Sequence, residues 1–231
     1  FANQLDLPIH MHLHETCEEI ASSIDDFGIR PIERLQKLNL LGPNLIAVHM
    51  VHLTNEEINL LKVHNCNVIH CPSSNMKLAS GIAPIVDLVN QSINVAIGTD
   101  GAASNNRLDM FEEMRLTALL GKVTRGAQAL PTHQILQMAT LNGAIALGIE
   151  KQTGSLTVGK AADITAIDFS DLSLTPCFNP LSHLIYVASR EHVSHVWVNG
   201  RLLLNQGELV TLNEAELIEC SQYWQNRITS K

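Results

Sequence analysis

The hydrophobic pattern of the first 150 residues alternates short apolar, β-branched runs with longer stretches of helical periodicity. Each apolar run is followed by a polar loop and then by a helical segment, which is typical of repeated β-α units around a parallel sheet. The predicted strands cover residues 8–13, 45–49, 67–71 and 94–99. Four such units make half of an eight-stranded barrel.

Residues typical of helix N-termini support the helices predicted between these strands. Thr54 is followed three residues later by Glu57, a pairing that predicts a capping box. Pro31 suits the first turn of an earlier helix, and Thr132 is placed to cap a later one. The first segment is therefore expected to be an α/β unit.

After about Gly148 the pattern changes, and short strand signals separated by turn residues replace the helical periodicity. Asn199 and Gly200 lie between the last two signals and predict a two-residue hairpin turn. The predicted strands cover residues 153–156, 163–168, 193–198 and 201–204. The chain thus divides into an α/β part, residues 1–150, and a small antiparallel β segment, residues 151–231, that is expected to belong to a sandwich.

The charge balance excludes some partners. The 231 residues include 15 Lys and Arg against 23 Asp and Glu, a formal net charge of −8. No basic field is available to neutralise a nucleic-acid backbone or an anionic membrane surface. No apolar run in the sequence reaches the ~18 to 20 residues of a membrane helix. We therefore expect neither nucleic acid nor membrane as a partner.

The cysteines indicate a reducing compartment. There are five, an odd number, scattered without a C-x-x-C pair. We expect free thiols and a cytoplasmic location. The sequence opens at Phe1 without an initiator Met, from which we expect it to be part of a longer protein.

Histidines and acids lie near the ends of the predicted strands. His10, His12 and His14 alternate along the first strand and would share one face if the chain stayed extended, with Glu15 next. These residues are either a polar strand end followed by a helix-starting acid or part of a site. The H-E-x-x-H metalloprotease signature is excluded, because Glu18 stands where its second His would be.

The ends of two later strands favour the second alternative, a functional site. His49 ends the second strand, with His52 in the loop that follows, and Asp100 follows the fourth. An Asp-Gly pair is commonly a mere turn, but the carboxyl ends of barrel strands point into the site that the β-α loops build. Imidazole and carboxylate groups suit a borderline divalent metal. The residues alone therefore suggest a metal-assisted hydrolase.

Four motifs in order extend this interpretation, and together they resemble the amidohydrolase superfamily. Within it the chain is most similar to the 5-methylthioadenosine/S-adenosylhomocysteine deaminases, close to the chlorohydrolase-like branch. The resemblance also covers three short stretches of the β segment. The four motifs are residues 12–16 (HLHET), 48–52 (VHMVH), 71–78 (CPSSNMKL) and 98–106 (GTDGAASNN), and the β stretches are 154–156 (GSL), 159–163 (GKAAD) and 196–200 (VWVNG).

The resemblance implies the C-terminal half of a (β/α)8 barrel of the TIM type, strands 5–8, with a β-sandwich segment. It implies that His12 binds the metal and that Asp100 is both ligand and general base. It further implies that Glu15 shuttles a proton to the purine ring nitrogen and that His49 lies near the attacking water. Glu15, His49 and Ser104 are the expected substrate contacts.

The resemblance also implies what this chain lacks. The family's remaining ligands are a His-x-His pair on the first barrel strand. The sequence has no matching position, because His10-Met11-His12 and His12-Leu13-His14 lie in the fifth-strand context before Glu15. The implied partners are an N-terminal half of the same protein, one divalent ion per site and a second copy in a homo-oligomer. Zinc is the first choice for the ion, with iron, manganese or nickel as alternatives.

The implied reaction is hydrolytic deamination of the adenine 6-amino group of 5-methylthioadenosine or S-adenosylhomocysteine, with release of ammonia. One alternative is another amidohydrolase activity, such as a guanine deaminase or a triazine-type chlorohydrolase. A different class of alternative is a non-catalytic half-barrel with a role in assembly or regulation. The sequence leaves open whether Ser73, Ser74 and Asn75 touch substrate or cap a turn, and it favours a small buried hydrophobe at Cys71.

Overall fold

A parallel sheet of four strands organises the first part of the chain. The computed structural model describes residues 2–5 and 7–230, so Phe1 lies outside the described residues. The strands pair in sequence order, all parallel, as β1-β2-β3-β4. They are β1 (Ile9–Leu13), β2 (Leu45–His49), β3 (Asn67–His70) and β4 (Asn94–Ile97). The predicted α/β class and all four predicted strands are confirmed.

Nine helices surround and connect these strands among the described residues up to 150. Several begin at capping side chains, as Thr16 does before α2 and Asp109 before α7. They are α1 (Ala2–Leu5), α2 (Cys17–Phe27), α3 (Pro31–Lys37), α4 (Asn55–Val63), α5 (Pro72–Lys77), α6 (Ile85–Asn90), α7 (Met110–Arg125), α8 (Thr132–Ala139) and α9 (Leu141–Ala146).

The predicted helix starts are correct in two cases and wrong in one. Thr54 and Glu57 form both hydrogen bonds of the capping box, and Pro31 lies in the first turn of α3. Thr132 does not cap α8. It is the first residue inside that helix, whose N-cap is Pro131. Pro131 has the fixed, extended geometry of a residue outside the helix, so the boundary falls one residue earlier than predicted.

The core lies between the sheet and its helices. All five residues of β2 are buried, as expected for an inner strand of a parallel sheet covered by helices. Buried apolar side chains from the strands and helices continue this core, among them Ile32, Leu45, Leu61, Leu88 and Ile135. Strands β1 and β4 form the two edges of the sheet and keep one side each free of strand partners among the described residues.

The second part of the chain contains an antiparallel sheet of four strands in the order β5-β6-β7-β8. Asn199 and Gly200 join β6 to β7, both with positive φ, so the predicted hairpin turn is confirmed. None of its strands is fully buried on either face. The strands are β5 (Ile164–Ile167), β6 (Val193–Val198), β7 (Arg201–Asn205) and β8 (Glu208–Leu209).

Two expectations for this part are wrong. Residues 153–155 form bends and Leu156 has no regular secondary structure, so the predicted strand is absent from this segment. Helices also persist, as α10 (Pro180–Tyr186) and α11 (Glu214–Thr229). The α10 segment joins the first core, because Ile185 is fully buried there and Arg115 of α7 donates to the carbonyl of Tyr186. None of the described helices is long and apolar enough to cross a bilayer.

Candidate active site at the carboxyl ends of the parallel strands

Three side chains from three parallel strands or their loops converge at one edge of the first sheet. His12 comes from β1, His49 from the end of β2, and Asp100 from the loop after β4. One nitrogen or oxygen atom from each lies within 4.8 Å of the others. The sequence spacing alone could not show this, because the three residues come together only when the strands pair in register.

The backbone at this edge is unusual. His14, His49, Met50 and Asp100 all have positive φ, at 53°, 74°, 49° and 61°. Non-glycine residues rarely adopt this left-handed conformation, which costs free energy and is concentrated at functional sites. The conformation also ends the extended alternation at His14, so His10, His12 and His14 do not form one row of equivalent side chains.

The geometry suits a metal ion. His12 Nε2 lies 3.7 Å from Asp100 Oδ1, and His49 Nε2 lies 3.9 Å from Asp100 Oδ2. Ligand atoms at the ~2.0–2.2 Å bond lengths of a tetrahedral zinc site lie about 3.4 Å apart, close to these separations. Imidazole and carboxylate are also the donor types that zinc accepts. The residues present therefore fit a divalent ion of this kind.

The site is open on one side. The side chain of His12 is 56% exposed, whereas that of His49 is fully buried and that of Asp100 is 13% exposed. The rings of His12 and His49 meet edge to face with their centroids 4.7 Å apart. Any additional ligands would have to approach from the exposed side of His12.

Hydrogen bonds fix the charge of Asp100. Its Oδ2 accepts from Ser104 Oγ at 2.6 Å and from Ser74 Oγ at 2.7 Å. Burial raises the pKa of the Asp100 carboxyl, but these two hydroxyls, the Gly101 backbone and nearby His49 outweigh it and lower the pKa to about 2. Asp100 is therefore a carboxylate at neutral pH, and its Oδ1 is left facing His12.

Glu15 lies beside the same group. Its Oε2 is 3.6 Å from His49 Nε2, and its Oε1 accepts from Ser80 Oγ at 3.3 Å. The backbone N–H groups of His14 and Glu15 both donate to the carboxylate of Glu19, at 2.9 and 2.7 Å. The first turn of α2 thus fixes the backbone from which Glu15 reaches into the site.

The structure shows the contacts of several residues that the sequence left open. Ser74 and Asn75 are buried and contact site residues, with Asn75 Oδ1 2.8 Å from His49 Nδ1. Ser73 donates its backbone N–H to Glu113, a buried residue of α7. Cys71 is buried, and burial, followed by the carboxylates of Asp100 and Glu113, raises the pKa of its thiol to about 12. The prediction of a small buried group at Cys71 agrees with its position.

Ser104, predicted to contact substrate, lies next to Asp100. Its hydroxyl is within hydrogen-bonding distance of Asp100 Oδ2 and, at 3.1 Å, of the Gly101 carbonyl. The sequence pattern did not indicate Ser80, Glu19 or Glu113 as site residues. The signals available for them were a serine in the loop between α5 and α6, and acids in the first turns of α2 and α7.

The remaining histidines near the site hold the loops. His14 is buried, with Nδ1 3.0 Å from the His52 carbonyl, and its Nε2 accepts from the Ile32 N–H. Burial lowers the pKa of His14, so its ring stays neutral. His52 Nε2 lies 2.7 Å from the Ser80 carbonyl, whereas His10 is exposed on β1. These contacts tie the β1 and β2 loops together.

A buried ion pair strengthens the same region. Arg30 donates to both oxygens of Glu57, at 2.6 and 3.0 Å, and to the His52 carbonyl at 2.7 Å. The side chain of Glu57 is only 3% exposed. A bidentate pair of this kind fixes the relative positions of the α2–α3 loop, α4 and the β2 loop.

Comparisons with known proteins agree with this geometry. Residues 1–203 match the model of the amidohydrolase family. The chain is 48% identical, over its whole length and 52% of the relative's, to a 5-methylthioadenosine/S-adenosylhomocysteine deaminase from Teredinibacter turnerae. It is 45% identical, over 96% of this chain and 52% of the relative, to a 5′-deoxyadenosine deaminase from Methanothermobacter thermautotrophicus.

Solved structures give the same result. An adenosine deaminase from Xanthomonas campestris with bound zinc superposes with a TM-score of 0.98 at 47% identity, covering all of this chain and 53% of that one. A zinc-complexed atrazine chlorohydrolase from Arthrobacter aurescens gives a TM-score of 0.91 at 25% identity, covering 96% of this chain and 49% of that one. The chain spans about half the length of the relatives that it matches. It belongs to the amidohydrolase family.

Proposed function

We propose that this chain supplies half of the active site of a metal-dependent aminohydrolase. Its reaction is hydrolytic deamination of the adenine 6-amino group of 5-methylthioadenosine or S-adenosylhomocysteine, with release of ammonia. The observation that carries the proposal is the convergence of His12, His49 and Asp100, with Glu15 3.6 Å from His49. The deaminase names of relatives at 42–48% identity support the choice of reaction.

In this proposal the metal ligands from this chain are His12 and Asp100. A bound divalent ion supplies the Lewis acidity that makes water a nucleophile near neutral pH. Asp100 is held as a carboxylate by two serine hydroxyls, so it is ready to accept a proton from that water. Zinc is the proposed ion, as in the zinc-bound neighbours, with iron, manganese and nickel as the alternatives.

Glu15 and His49 act on the substrate in this scheme. Glu15 takes one proton of the water and delivers it to the ring nitrogen beside the amine-bearing carbon, which makes that carbon electrophilic. Asp100 passes the other proton of the water to the amine, so that the carbon–nitrogen bond breaks and ammonia leaves. His49 donates a hydrogen bond to the attacking oxygen. Glu15, His49 and Ser104 are the proposed substrate contacts, the last through the loop that also holds Asp100.

The substrate class is an adenine nucleoside, and its 5′ substituent is the finer question. Relatives named as 5′-deoxyadenosine deaminases are nearly as similar as the methylthioadenosine enzymes. Both substrate types carry adenine and lack a 5′ hydroxyl. We therefore place 5′-deoxyadenosine second, and guanine and chlorotriazines after it.

The functional unit is proposed to include an N-terminal half of the same protein. In the described part of the chain the parallel sheet has two open edges, at β1 and β4, where additional parallel strands can pair. Large apolar side chains on the second part are strongly exposed, including Leu156 at 82% and Phe178 at 90%. Covering these surfaces would complete a barrel from residues 1–150 and a composite sandwich from residues 151–231.

We also propose an assembly state and a location for the complete protein. All five cysteines are free, which agrees with a reducing cytoplasm. A homo-oligomer is proposed for the complete protein, with its mass in solution as the measurement.

The test uses the full-length protein that contains this chain, purified with its native metal. Metal content is measured by elemental analysis, and ammonia release is measured with 5-methylthioadenosine, S-adenosylhomocysteine, 5′-deoxyadenosine, adenosine and guanine, alongside chloride release from atrazine. We expect about one zinc per site and the highest kcat/KM with a thioether nucleoside. A metal-free protein that releases neither ammonia nor chloride would support the non-catalytic half-barrel instead.

A further inference from the structure

Asn75 lies at the Nδ1 side of the His49 ring, whereas Glu15 and Asp100 face its Nε2. Its side chain is buried, with 1% exposure, and its Oδ1 is 2.8 Å from His49 Nδ1. Its backbone is fixed in α5, because its N–H donates to the Cys71 carbonyl at 3.0 Å and its carbonyl accepts from the Ser80 N–H at 2.8 Å. Among the described residues, the side chain of Asn75 makes its polar contact with His49.

Two buried atoms of this pair have no hydrogen-bond partner in the described part of the chain: Nε2 of His49 and Nδ2 of Asn75. The nearest charged atoms to His49 Nε2 are Glu15 Oε2 at 3.6 Å and Asp100 Oδ2 at 3.9 Å. Both are carboxylate oxygens, which only accept hydrogen bonds when ionised. A lone pair on Nε2 is repelled by them, whereas an N–H is attracted.

A half-turn of the Asn75 carboxamide exchanges its nitrogen and oxygen without changing its shape. Nδ2 then donates to His49 Nδ1, and the single proton of a neutral ring lies on Nε2, directed at the two carboxylates. This arrangement gives the buried Nδ2 of Asn75 a partner and turns the contact between His49 Nε2 and the two carboxylates, at 3.6 and 3.9 Å, from repulsive to attractive. It leaves one buried carbonyl under-satisfied, which costs less than a buried N–H without a partner.

We propose that Asn75 is a positioning residue whose amide nitrogen donates to His49 Nδ1 and thereby holds His49 as the tautomer protonated at Nε2. The consequence of this tautomer for the reaction rests on the proposed function. A protonated Nε2 cannot coordinate a metal, so His49 remains a hydrogen-bond donor to the attacking oxygen while His12 and Asp100 act as ligands. Asn75 thus determines which of two possible roles His49 has.

The direct test locates the ring proton of His49 in the full-length protein. The protein is labelled with ¹⁵N-histidine and studied by long-range ¹H–¹⁵N correlation in its zinc-bound form, with His49→Gln used to assign the signal. We expect Nε2 to be the protonated nitrogen. Protonation of Nδ1 alone in the wild-type protein would overturn the proposal.

Asn75→Asp provides the matched change, because the carboxylate has the same shape and can only accept. We expect Nδ1 to become protonated in this variant. Asn226→Asp, at an exposed position of α11, adds the same charge away from the site and should leave the His49 signal unchanged. A tautomer in Asn75→Asp identical to that of the wild type would also overturn the proposal.

Kinetics provide the second measurement. A misplaced ring proton removes an interaction made in the transition state, so kcat of Asn75→Asp should fall by about 10²- to 10⁴-fold. KM should change by less than about threefold, since Asn75 acts in this proposal through His49 and not on the substrate. The NMR result does not depend on substrate identity. A correct tautomer in a protein without deaminase activity would therefore contradict the proposed function and leave the role of Asn75 intact.

Discussion

The hydroxyl of Ser74 donates a hydrogen bond of 2.7 Å to Oδ2 of Asp100, which links the first turn of α5 to the loop after β4. Ser74 is fully buried, so its contact with the carboxylate is not shared with solvent. Ser104, in the loop that follows Asp100, donates to the same oxygen. The two serines leave Oδ1 as the oxygen available to a metal ion.

Ser74→Ala should raise the pKa of Asp100. The wild-type pKa is lowered to about 2 although burial alone would raise it, and the variant loses one of the hydrogen bonds that oppose burial. The measurement is a ¹³C titration of the Asp100 carboxyl carbon in the metal-free full-length protein. Ser173→Ala, at a serine outside the site, is the control. An Asp100 pKa that stays at the wild-type value in Ser74→Ala would show that Ser104, the Gly101 backbone and His49 fix the charge without Ser74.

Asp100→Asn should abolish most turnover while the fold persists. The amide cannot accept the proton that the proposed mechanism gives to Asp100, and it is a poorer metal ligand than a carboxylate. We expect kcat to fall by about 10²- to 10⁴-fold and the bound metal to decrease in elemental analysis. Asp25→Asn, on the exposed side of α2, removes the same charge and should retain both. Near-normal activity in Asp100→Asn would contradict its assignment as general base.

Arg30→Met should destabilise the protein by about 3 kcal/mol, because it leaves the carboxylate of Glu57 buried without its bidentate partner. The measurement is the free energy of unfolding from urea denaturation. Arg190→Met is the control, since Arg190 and its partner Glu191 are both more than half exposed and such pairs contribute about 0.5 kcal/mol or less. A loss below about 1 kcal/mol in Arg30→Met would show that water or another cation compensates Glu57.

The stability of the protein should fall in weakly acidic solution because of His70. Burial, followed by nearby His49, lowers the pKa of His70 from 6.5 to about 3. Below pH 6.5 the unfolded chain binds a proton at His70 that the folded chain does not. The contribution of neutral His70 to the free energy of unfolding is therefore complete above the unfolded-state pKa. As the pH falls from there towards the folded-state pKa, this contribution decreases by up to about 1.4 kcal/mol per pH unit.

The measurement is the unfolding free energy of wild type and His70→Gln between about pH 5 and about pH 7. The variant cannot bind this proton, so its stability should depend less steeply on pH. Equal slopes in the two proteins would show that the folded protein also protonates His70. His10→Gln, which changes an exposed histidine, should retain the wild-type slope.

The local sequence determined the elements that depend on neighbouring residues. Apolar β-branched runs specified all four parallel strands, because a strand covered on both faces needs few polar residues. The capping pair Thr54 and Glu57 specified the start of α4, and Asn199 with Gly200 specified a hairpin. The sequence pattern after residue 150 predicted strands and missed α10 and α11. The α10 helix is short, and α11 has no buried residues, so neither shows a clear apolar helical periodicity.

The sequence also identified His12, Glu15, His49 and Asp100 as candidates, because each stands at or just after a strand end. Only the tertiary structure decided that they meet, since parallel pairing brings together residues up to 88 positions apart. It likewise assigned Ser74 to Asp100 and Asn75 to His49. These contacts depend on the turn that starts α5 and on burial between strands, which no local pattern encodes.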